Sequence, residues 1–319
     1  MILFTADWHI KLGQKNVPRE WAIKRYQMFF EQVHSLEQQC NMHIIGGDLF
    51  DRLPNMEELE LYFEFIANVK IPTLIYDGNH EATKKNKTFF TQLKKVSREI
   101  NPLVKVVDIS YVDNDFGFGV LPYADLHRKN SIELFDQTKP LFTHVRGEIP
   151  PHVKPEVDLD RFEDFPIVFA GDLHAHSNTQ RNIVYPGSPM TTSFHRNEVQ
   201  TGYLLINPVN WSWMWDAFNL PQLIRKTVSD PDEMIPTDWH HTIYEIEGDI
   251  QELANVKNTE LLDKKVVKRS SEATLVIDKE MTIQDELVEY LSYILEIPDE
   301  RIPQIVGIFN DYATKVEME

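Results

Sequence analysis

The feature that most constrains this chain is a series of short apolar runs, several of which lead into an acid, an amide or a histidine. Each run has the length of a β-strand and stops at turn-forming or polar residues, as buried strands do. The runs are MILFTA at 1–6, MHIIGG at 42–47, PTLIYDG at 72–78, GFGVLPY at 117–123, PLFTH at 140–144 and PIVFAG at 166–171. Amphipathic stretches with helical spacing lie between the first three runs, at 20–40 and 56–69. This alternation predicts an α/β domain.

Potential metal ligands follow five of these runs, at the strand ends where open α/β sheets form their functional crevices. Each residue alone is more often part of a turn, but their joint occurrence in chain order predicts a metal site. Carboxylate, amide and imidazole together suit Mn²⁺, Fe or Zn²⁺ better than Ca²⁺. A carboxylate that bridges two such cations serves phosphoryl chemistry. The candidates are Asp7, His9, Asp48, Asn79, His80, His144, Asp172, His174 and His176.

Composition indicates the cellular compartment of the protein but leaves its substrate open. The 319 residues carry a formal charge of −18, which counts against a nucleic-acid partner unless bound cations or a partner subunit offset it. The single cysteine, Cys40, suits a reducing cytosol. The N-terminus lacks a charged region before its apolar run, and no apolar stretch is long enough to cross a bilayer. We therefore expect a cytoplasmic protein without a membrane partner.

The spacing of the candidate ligands resembles the motifs of the calcineurin-type metallophosphoesterase superfamily. The matching segments are DWH at 7–9, GDLFDR at 47–52, GNHE at 78–81, TH at 143–144 and GDLH at 171–174. The resemblance covers about residues 1–205 and implies a β-sandwich flanked by helices. Within the superfamily, YPGSPMTTSFHR at 185–196 is similar to the segment after the last metal motif of SbcD-type DNA nucleases.

The SbcD-type resemblance implies a metal-dependent DNA exonuclease or endonuclease. Such proteins are the nuclease subunits of a complex with an SbcC-type coiled-coil ATPase in DNA repair and recombination, and they typically form homodimers. The short chain would suit a phage-encoded member. The resemblance also implies two divalent ions, with Mn²⁺ favoured and Mg²⁺ as the alternative.

Residue roles also follow from the resemblance. One ion would be held by Asp7, His9 and His174, and the other by Asn79, His144 and the residue at position 172. Asp48 would bridge the two ions. His80 would stabilise the phosphate or protonate the leaving oxygen, which suits a side chain that titrates near neutral pH. Asp51 and Arg52 are also assigned to the catalytic site, and an ion pair that orients the Asp48 loop is favoured over direct contact with the substrate.

Position 172 departs from the family motif, which has a histidine where this chain has Asp172. The aspartate could bind the metal as a carboxylate, which favours a harder ion such as Mn²⁺ or Mg²⁺. The register could instead shift so that His174 and His176 form the pair. A third interpretation is a weak second metal site with reduced or partner-dependent activity. The first is favoured, because Gly171 keeps its place before the motif.

The remaining sequence predicts accessory parts. We expect a nuclease domain at 1–205, a linker and small α+β capping or DNA-recognition domain at 206–280, and C-terminal helices at 281–319. The apolar faces of those helices favour docking on the ATPase over packing on the main domain. Trp211, Trp213 and Trp215 have the period of a strand and favour packing over base stacking. A basic stretch at 84–98 is either a solvated helix face or a DNA contact, with these candidates: Lys84, Lys85 and Lys87.

Three functions remain open from the sequence. The first is the DNA nuclease. The second is a scaffold subunit of a repair complex with a weakened site, as Asp172 could cause. The third is a small-molecule phosphodiesterase or phosphatase. Phosphatase-like members commonly place an arginine directly before GNHE, and this chain has Asp77 there, which favours a diester substrate.

Overall fold

The computed structural model describes residues 1–84, 87–267, 281–295, 297–298 and 300–316. The helices are α1 (Arg19–Glu37), α2 (Met56–Asn68), α3 (Phe90–Ile100), α4 (Tyr123–Leu126), α5 (Ile250–Asn255), α6 (Ile283–Glu289) and α7 (Ile302–Val316). The first strands are β1 (Ile2–Thr5), β2 (Met42–Gly46), β3 (Thr73–Tyr76), β4 (Ala82–Lys84), β5 (Lys87–Thr88), β6 (Val104–Val107), β7 (Tyr111–Asp113) and β8 (Phe118–Leu121). The later strands are β9 (Leu141–His144), β10 (Val168–Gly171), β11 (Ile183–Val184), β12 (Gly202–Ile206), β13 (Trp213–Ala217), β14 (Leu223–Val228), β15 (His241–Gly248) and β16 (Leu262–Val267).

Two sheets form a β-sandwich. Strands of the first follow the order β13-β12-β1-β2-β3-β6, and strands of the second follow the order β11-β10-β9-β8-β7. In the first sheet β1, β2, β3 and β6 run parallel, so their carboxyl ends lie at one edge. Strands β8, β9, β10 and β11 are parallel in the second sheet as well. The expected α/β sandwich flanked by helices is thereby confirmed.

The apolar strand runs are buried on both faces, as continuous hydrophobic runs predict. In β1, Ile2 and Phe4 contribute to the core between the two sheets, where Phe4 meets Phe142 edge to face with centroids 5.3 Å apart. Leu3 points the other way, into the cluster formed with α1, α2 and α3. A third apolar cluster covers the outer face of the second sheet. The sheet edges that carry the candidate ligands are thus held by packed layers on either side.

The helices predicted at 20–40 and 56–69 are present as α1 and α2, and α2 begins with a capping box between Asn55 and Glu58. The basic stretch at 84–98 runs into α3, in agreement with its interpretation as a helix face. Of the tryptophan cluster, Trp213 and Trp215 lie in β13, as their period predicts. None of the helices in the described ranges is both long enough and apolar enough to cross a membrane.

The chain separates into two compact units. One contains residues 1–246 and 257–264, and the other contains 247–256 and 265–319. The first unit extends past the expected boundary at residue 205, because β12 and β13 belong to the same sheet as β1. Whether 206–280 acts as a cap and 281–319 as a docking segment stays a prediction.

The second unit contains the predicted pair of C-terminal helices, α6 and α7. A capping box between Thr282 and Asp285 starts α6. Pro303 lies in the first turn of α7, where its missing N–H leaves no intrahelical hydrogen bond unmade. Within the α+β segment expected at 206–280, the strand-like run HTIYEIEG at 241–248 forms β15, and the similar run EATLVIDK at 272–279 lies outside the described residues.

Candidate metal centre

The candidate ligands stand at the carboxyl ends of five strands, and four of them lie on backbone that non-glycine residues rarely adopt. Left-handed φ angles occur at Asp7 (57°), His9 (45°), Asp48 (50°) and Asp172 (104°). Such conformations are uncommon for non-glycine residues and persist where the surrounding structure enforces them. Here they turn each side chain off its strand toward a common point between the two sheets.

One side of the centre is built from Asp7, His9 and His174, whose ligand atoms lie within 4.8 Å of one another. The Nε2 atoms of His9 and His174 face each other at 3.0 Å. Nδ1 of His174 lies 3.2 Å from the hydroxyl of Thr192, which leaves Nε2 directed at His9. Two imidazole nitrogens at this distance next to a carboxylate form a donor set that fits a divalent cation.

The other side contains His144 and Asn79. Nδ1 of His144 donates to the Gly46 carbonyl oxygen at 2.9 Å, so Nε2 faces the centre. That Nε2 atom lies 2.9 Å from Oδ1 of Asn79 and 3.5 Å from Oδ1 of Asp48. Turning the Asn79 amide over lets its nitrogen donate to both Asp48 oxygens, at 3.0 and 3.2 Å. Carboxylate, imidazole and amide groups thus meet within about hydrogen-bond distance, and this donor set fits a divalent cation.

The Asp48 carboxylate lies between the two sides. Its Oδ2 is 3.6 Å from Nε2 of His9, while its Oδ1 faces His144. Gly78 packs so closely that a Cβ atom there would approach Asp48 Oδ1 to 2.2 Å. Any other residue at 78 would displace the carboxylate, which explains the glycine. The Asp48 carboxylate therefore contacts a histidine of each side.

Burial and charge give the ligands of the two sides different proton affinities. Burial lowers the pKa of His9 to about 3, so its imidazole is neutral and free to bind a cation. Burial also tends to lower the pKa of His144, but the carboxylates of Asp48, Asp7 and Asp172 outweigh it and raise that pKa well above its ordinary value. Negative charge is thus concentrated around His144.

His80 lies at the edge of the centre, with 36% of its side chain exposed. Its Nδ1 lies 2.6 Å from the carbonyl oxygen of Asp51, which accepts the N–H, and its Nε2 lies 3.8 Å from Oδ2 of Asp48. Its backbone N–H donates to Asp48 Oδ1 at 2.9 Å. His80 can therefore present one ring nitrogen to solvent beside the centre while the other is held by the backbone.

Asp172 lies on the His144 side. Its Oδ1 is 3.9 Å from Nε2 of His144, and its backbone N–H donates to the carboxylate of Asp7. His176 points elsewhere, because its Nδ1 bonds to the Tyr185 carbonyl oxygen at 2.6 Å and its ring stacks on Trp215. The alternative in which His176 replaces the aspartate therefore has no support from these positions.

The ion pair expected between Asp51 and Arg52 is wrong, because each side chain has another partner. Asp51 pairs with Lys11 at 2.7 Å. Arg52 binds Glu58 with two nitrogens, at 2.8 and 3.1 Å. Glu58 is fully buried and also accepts the N–H of Leu12, so Arg52 connects the loop after β2 to the start of α2. The two adjacent side chains are thus each paired with a residue outside the GDLFDR motif.

Two residues that matter here had no role in the sequence predictions. Glu81, the last residue of GNHE, is buried and accepts the backbone N–H groups of Asp48, Phe50 and Gly78 at 2.7–3.0 Å. It thereby joins the two ligand-bearing loops. Arg146 binds Asp172 with Nε at 3.2 Å and Nη2 at 3.3 Å. The feature of the sequence that could have indicated Arg146 is Asp172 itself, because an additional buried carboxylate favours a positively charged neighbour.

The proposed DNA contacts are only partly within the described structure. Lys87 is exposed in β5. The side chain of Lys84 and all of Lys85 lie outside the described residues. The DNA role of these lysines stays a prediction.

Comparisons with known proteins identify the family and several similar proteins. A family model described as calcineurin-like phosphoesterase matches residues 1–176. The chain is 38% identical over 299 residues to a protein of Escherichia phage T5 named "Probable exonuclease subunit 1", and the match covers 90% of this chain and 91% of that protein. It is 25% identical over 227 residues to a protein of Invertebrate iridescent virus 6 whose name describes a phosphoesterase, covering 64% and 75% of the two chains. A solved structure from Thermus thermophilus aligns with a TM-score of 0.44 at 11% identity, covering 68% of this chain and 97% of that one.

Proposed function

The chain belongs to the calcineurin-like phosphoesterase family, and from that premise we propose that it is a divalent-metal-dependent nuclease that hydrolyses DNA phosphodiester bonds. The observation that carries this proposal is the convergence of three sets of acids and histidines, each within 4.8 Å, at the carboxyl ends of the sandwich strands. The name of the phage T5 relative supports nuclease activity over other phosphoester hydrolysis.

We assign the ligands as follows. Asp7, His9 and His174 would hold one ion, Asn79, His144 and Asp172 would hold the other, and Asp48 would bridge them. Bound ions would activate a water molecule and neutralise charge on the phosphoryl group. Mn²⁺ is favoured, with Mg²⁺ as the alternative, because the site combines imidazoles with three carboxylates.

His80 would act on the leaving group. Its Nδ1–H is committed to the Asp51 carbonyl oxygen, so a proton on Nε2 would point into the open edge of the centre. Donation of that proton to the departing oxygen completes cleavage of the P–O bond. Asp51 would act through its backbone carbonyl, which orients the ring, and Arg52 through the loop that it ties to Glu58.

A partner subunit is also part of the proposal. The phage T5 relative is named as a subunit, which supports an assembly. In the second unit, large apolar side chains on α6 and α7 are exposed, among them Ile283 at 70% and Ile308 at 63%. Exposed apolar helix faces are typical of docking surfaces. We propose an SbcC-type ATPase as the partner in repair and recombination, with a homodimer of this chain, in the cytoplasm.

The experiment is a cleavage assay on end-labelled linear single-stranded and double-stranded DNA with Mn²⁺, with and without a copurifying ATPase. We expect cleavage by the wild type. His80→Gln should lose most cleavage yet still bind two Mn²⁺ ions, whereas His152→Gln, at an exposed histidine, should behave as wild type. If no DNA is cut under any condition, the nuclease proposal is wrong.

A second candidate, a scaffold with a weakened site, is favoured by one observation, the aspartate at position 172. Calorimetric titration with Mn²⁺ separates the two, since a scaffold predicts fewer than two tight ions. A small-molecule phosphodiesterase is the remaining alternative. It predicts rapid hydrolysis of bis-p-nitrophenyl phosphate without DNA cleavage.

A further inference from the structure

The Arg146 side chain covers the one ligand position that departs from the family motif. Its guanidinium contacts both oxygens of Asp172, through Nε at 3.2 Å and Nη2 at 3.3 Å. The Asp172 side chain is 5% exposed, and that of Arg146 is 41% exposed. Arg146 therefore stands between a buried carboxylate of the centre and the solvent.

We propose that Arg146 is a phosphate-binding residue of this centre, held in place by Asp172 and freed for the substrate when Asp172 takes up a divalent cation. This inference rests on the proposed metal-dependent function and specifies how its second ion and its substrate are coupled.

The first support is that one carboxylate faces two cation positions. Oδ1 of Asp172 lies 3.3 Å from Nη2 of Arg146 and 3.9 Å from Nε2 of His144. The ring of His144 is fixed through its Nδ1, and the Asp172 backbone is fixed by its N–H bond to Asp7. Neither group can move far, so a cation beside His144 and the guanidinium must share the same carboxylate.

The second support is charge balance. A histidine at this position would be a neutral ligand, whereas an aspartate adds one negative charge. Arg146 supplies one positive charge, so the pair together has the charge of the imidazole that it replaces. The positive member, however, lies on the exposed side of the pair, where an approaching phosphate would meet it.

The third support is the number of free donors. A guanidinium has five N–H groups in one plane, and Asp172 engages two nitrogens of Arg146. The remaining donors suit phosphate oxygens, for which arginine is well shaped. The backbone N–H of Arg146 donates to Glu156 at 3.2 Å, and Glu156 also accepts the hydroxyl of Tyr123. The contact with Glu156 fixes the main chain at Arg146 and leaves the guanidinium free to contact a ligand.

The test begins with metal alone. The full-length protein is titrated with Mn²⁺ by calorimetry, as wild type and as Arg146→Gln. The matched control is Arg128→Gln, because Arg128 also covers a buried carboxylate, that of Asp125, outside the ligand cluster. Removal of the competing cation should tighten the weaker Mn²⁺ site by roughly five- to tenfold, which corresponds to about 1 kcal/mol for a partly exposed charge pair. Arg128→Gln should bind as wild type does.

The second arm uses inorganic phosphate on the Mn²⁺-saturated protein. Arg146→Gln should weaken phosphate binding by on the order of tenfold, as expected for loss of one charge-assisted contact. Arg146→Lys keeps the charge without the planar donors and should show smaller changes in both titrations. If Arg146→Gln does not fold, Arg146→Lys decides the same question. It should bind Mn²⁺ more tightly and phosphate more weakly than the wild type.

An unchanged Mn²⁺ isotherm in Arg146→Gln would show that Asp172 is not shared, and unchanged phosphate affinity would show that Arg146 does not bind phosphate. Either result overturns the proposal. Neither titration uses DNA, so a failure of the nuclease assay with both shifts present would leave this inference standing. DNA cleavage without the shifts would leave the nuclease function and remove the inference.

Discussion

The two sides of the candidate centre differ in how their charge is balanced. On the side of Asp7, His9 and His174, two imidazole nitrogens meet at 3.0 Å with no protein cation among the contacts described. On the side of Asn79 and His144, an extra carboxylate is paired with an arginine. The first side is held together by contacts among its own ligands, whereas the second also contains a positive charge from the chain, that of Arg146. The comparison teaches that the carboxylate standing in place of the family's histidine is balanced in this chain by a positive charge from another segment.

The largest expected effect comes from the residue common to both sides. Asp48→Asn should remove the charge that both ions share and lower DNA cleavage by more than about 10³-fold, because several kcal/mol of metal-derived stabilisation is lost. Asp164→Asn, the same change at an exposed acid, is the control. The effect of Asp48→Asn is measured by the rate of DNA cleavage and by the number of Mn²⁺ ions bound. Near-normal cleavage in Asp48→Asn would mean that the sides do not meet at this carboxylate.

Removal of one accessible ligand from each side sharpens the comparison. His174→Gln and Asn79→Ser should each leave one tightly bound Mn²⁺ and lower cleavage by about 10²-fold, as loss of one precise ligand does. Electron paramagnetic resonance counts the ions in each variant. Retention of both ions after either change would break the assignment of that ligand.

Making the second side resemble the first is the next test. Asp172→His replaces a carboxylate with an imidazole and should shift the preference of the protein toward Zn²⁺ over Mn²⁺ by about tenfold, since nitrogen ligands suit the softer ion. Competition between the two metals, read by elemental analysis after dialysis, measures the ratio. An unaltered ratio would indicate that residue 172 does not touch a metal.

The smallest effect is expected outside both sides. Arg52→Ala breaks the pair with Glu58 and should lower the free energy of unfolding by about 1 kcal/mol, because Arg52 is nearly half exposed and its charge is screened. Cleavage should fall by less than about threefold. Urea unfolding of the metal-free protein gives the stability, with Arg19→Ala, another arginine paired with an acid of the Glu57–Glu58 turn, as control. A loss of cleavage near that of Asp48→Asn would place Arg52 in direct contact with the substrate.

Much of the fold was readable from the chain. The apolar runs at 1–6, 42–47 and 72–78 became strands β1, β2 and β3, and the family resemblance drawn from their ends is confirmed by the match over residues 1–176. Strand β6 was not predicted, because VKVV is short and places Lys105 among its apolar residues. Helix α3 confirms one of the two interpretations of the basic stretch at 84–98, that of a helix face, whereas the DNA contact stays a prediction.

The candidate metal centre, like the fold, could be predicted from the sequence only in part. Strand-end positions predicted that Asp7, Asp48 and His144 would meet, and the structure brings their ligand atoms within 4.8 Å of one another. The partners of Asp51 and Arg52 could not be predicted, because each comes from another segment. Likewise, 26 residues separate Arg146 from Asp172.

The sequence by itself therefore determined which residue types arrive at the sheet edge, since strand period and the residue after a strand are local properties. Only the tertiary structure decided which acid each cation binds and which side of Asp172 faces solvent. Those choices depend on distances between segments remote in the chain, and such distances exist only once the two sheets have packed.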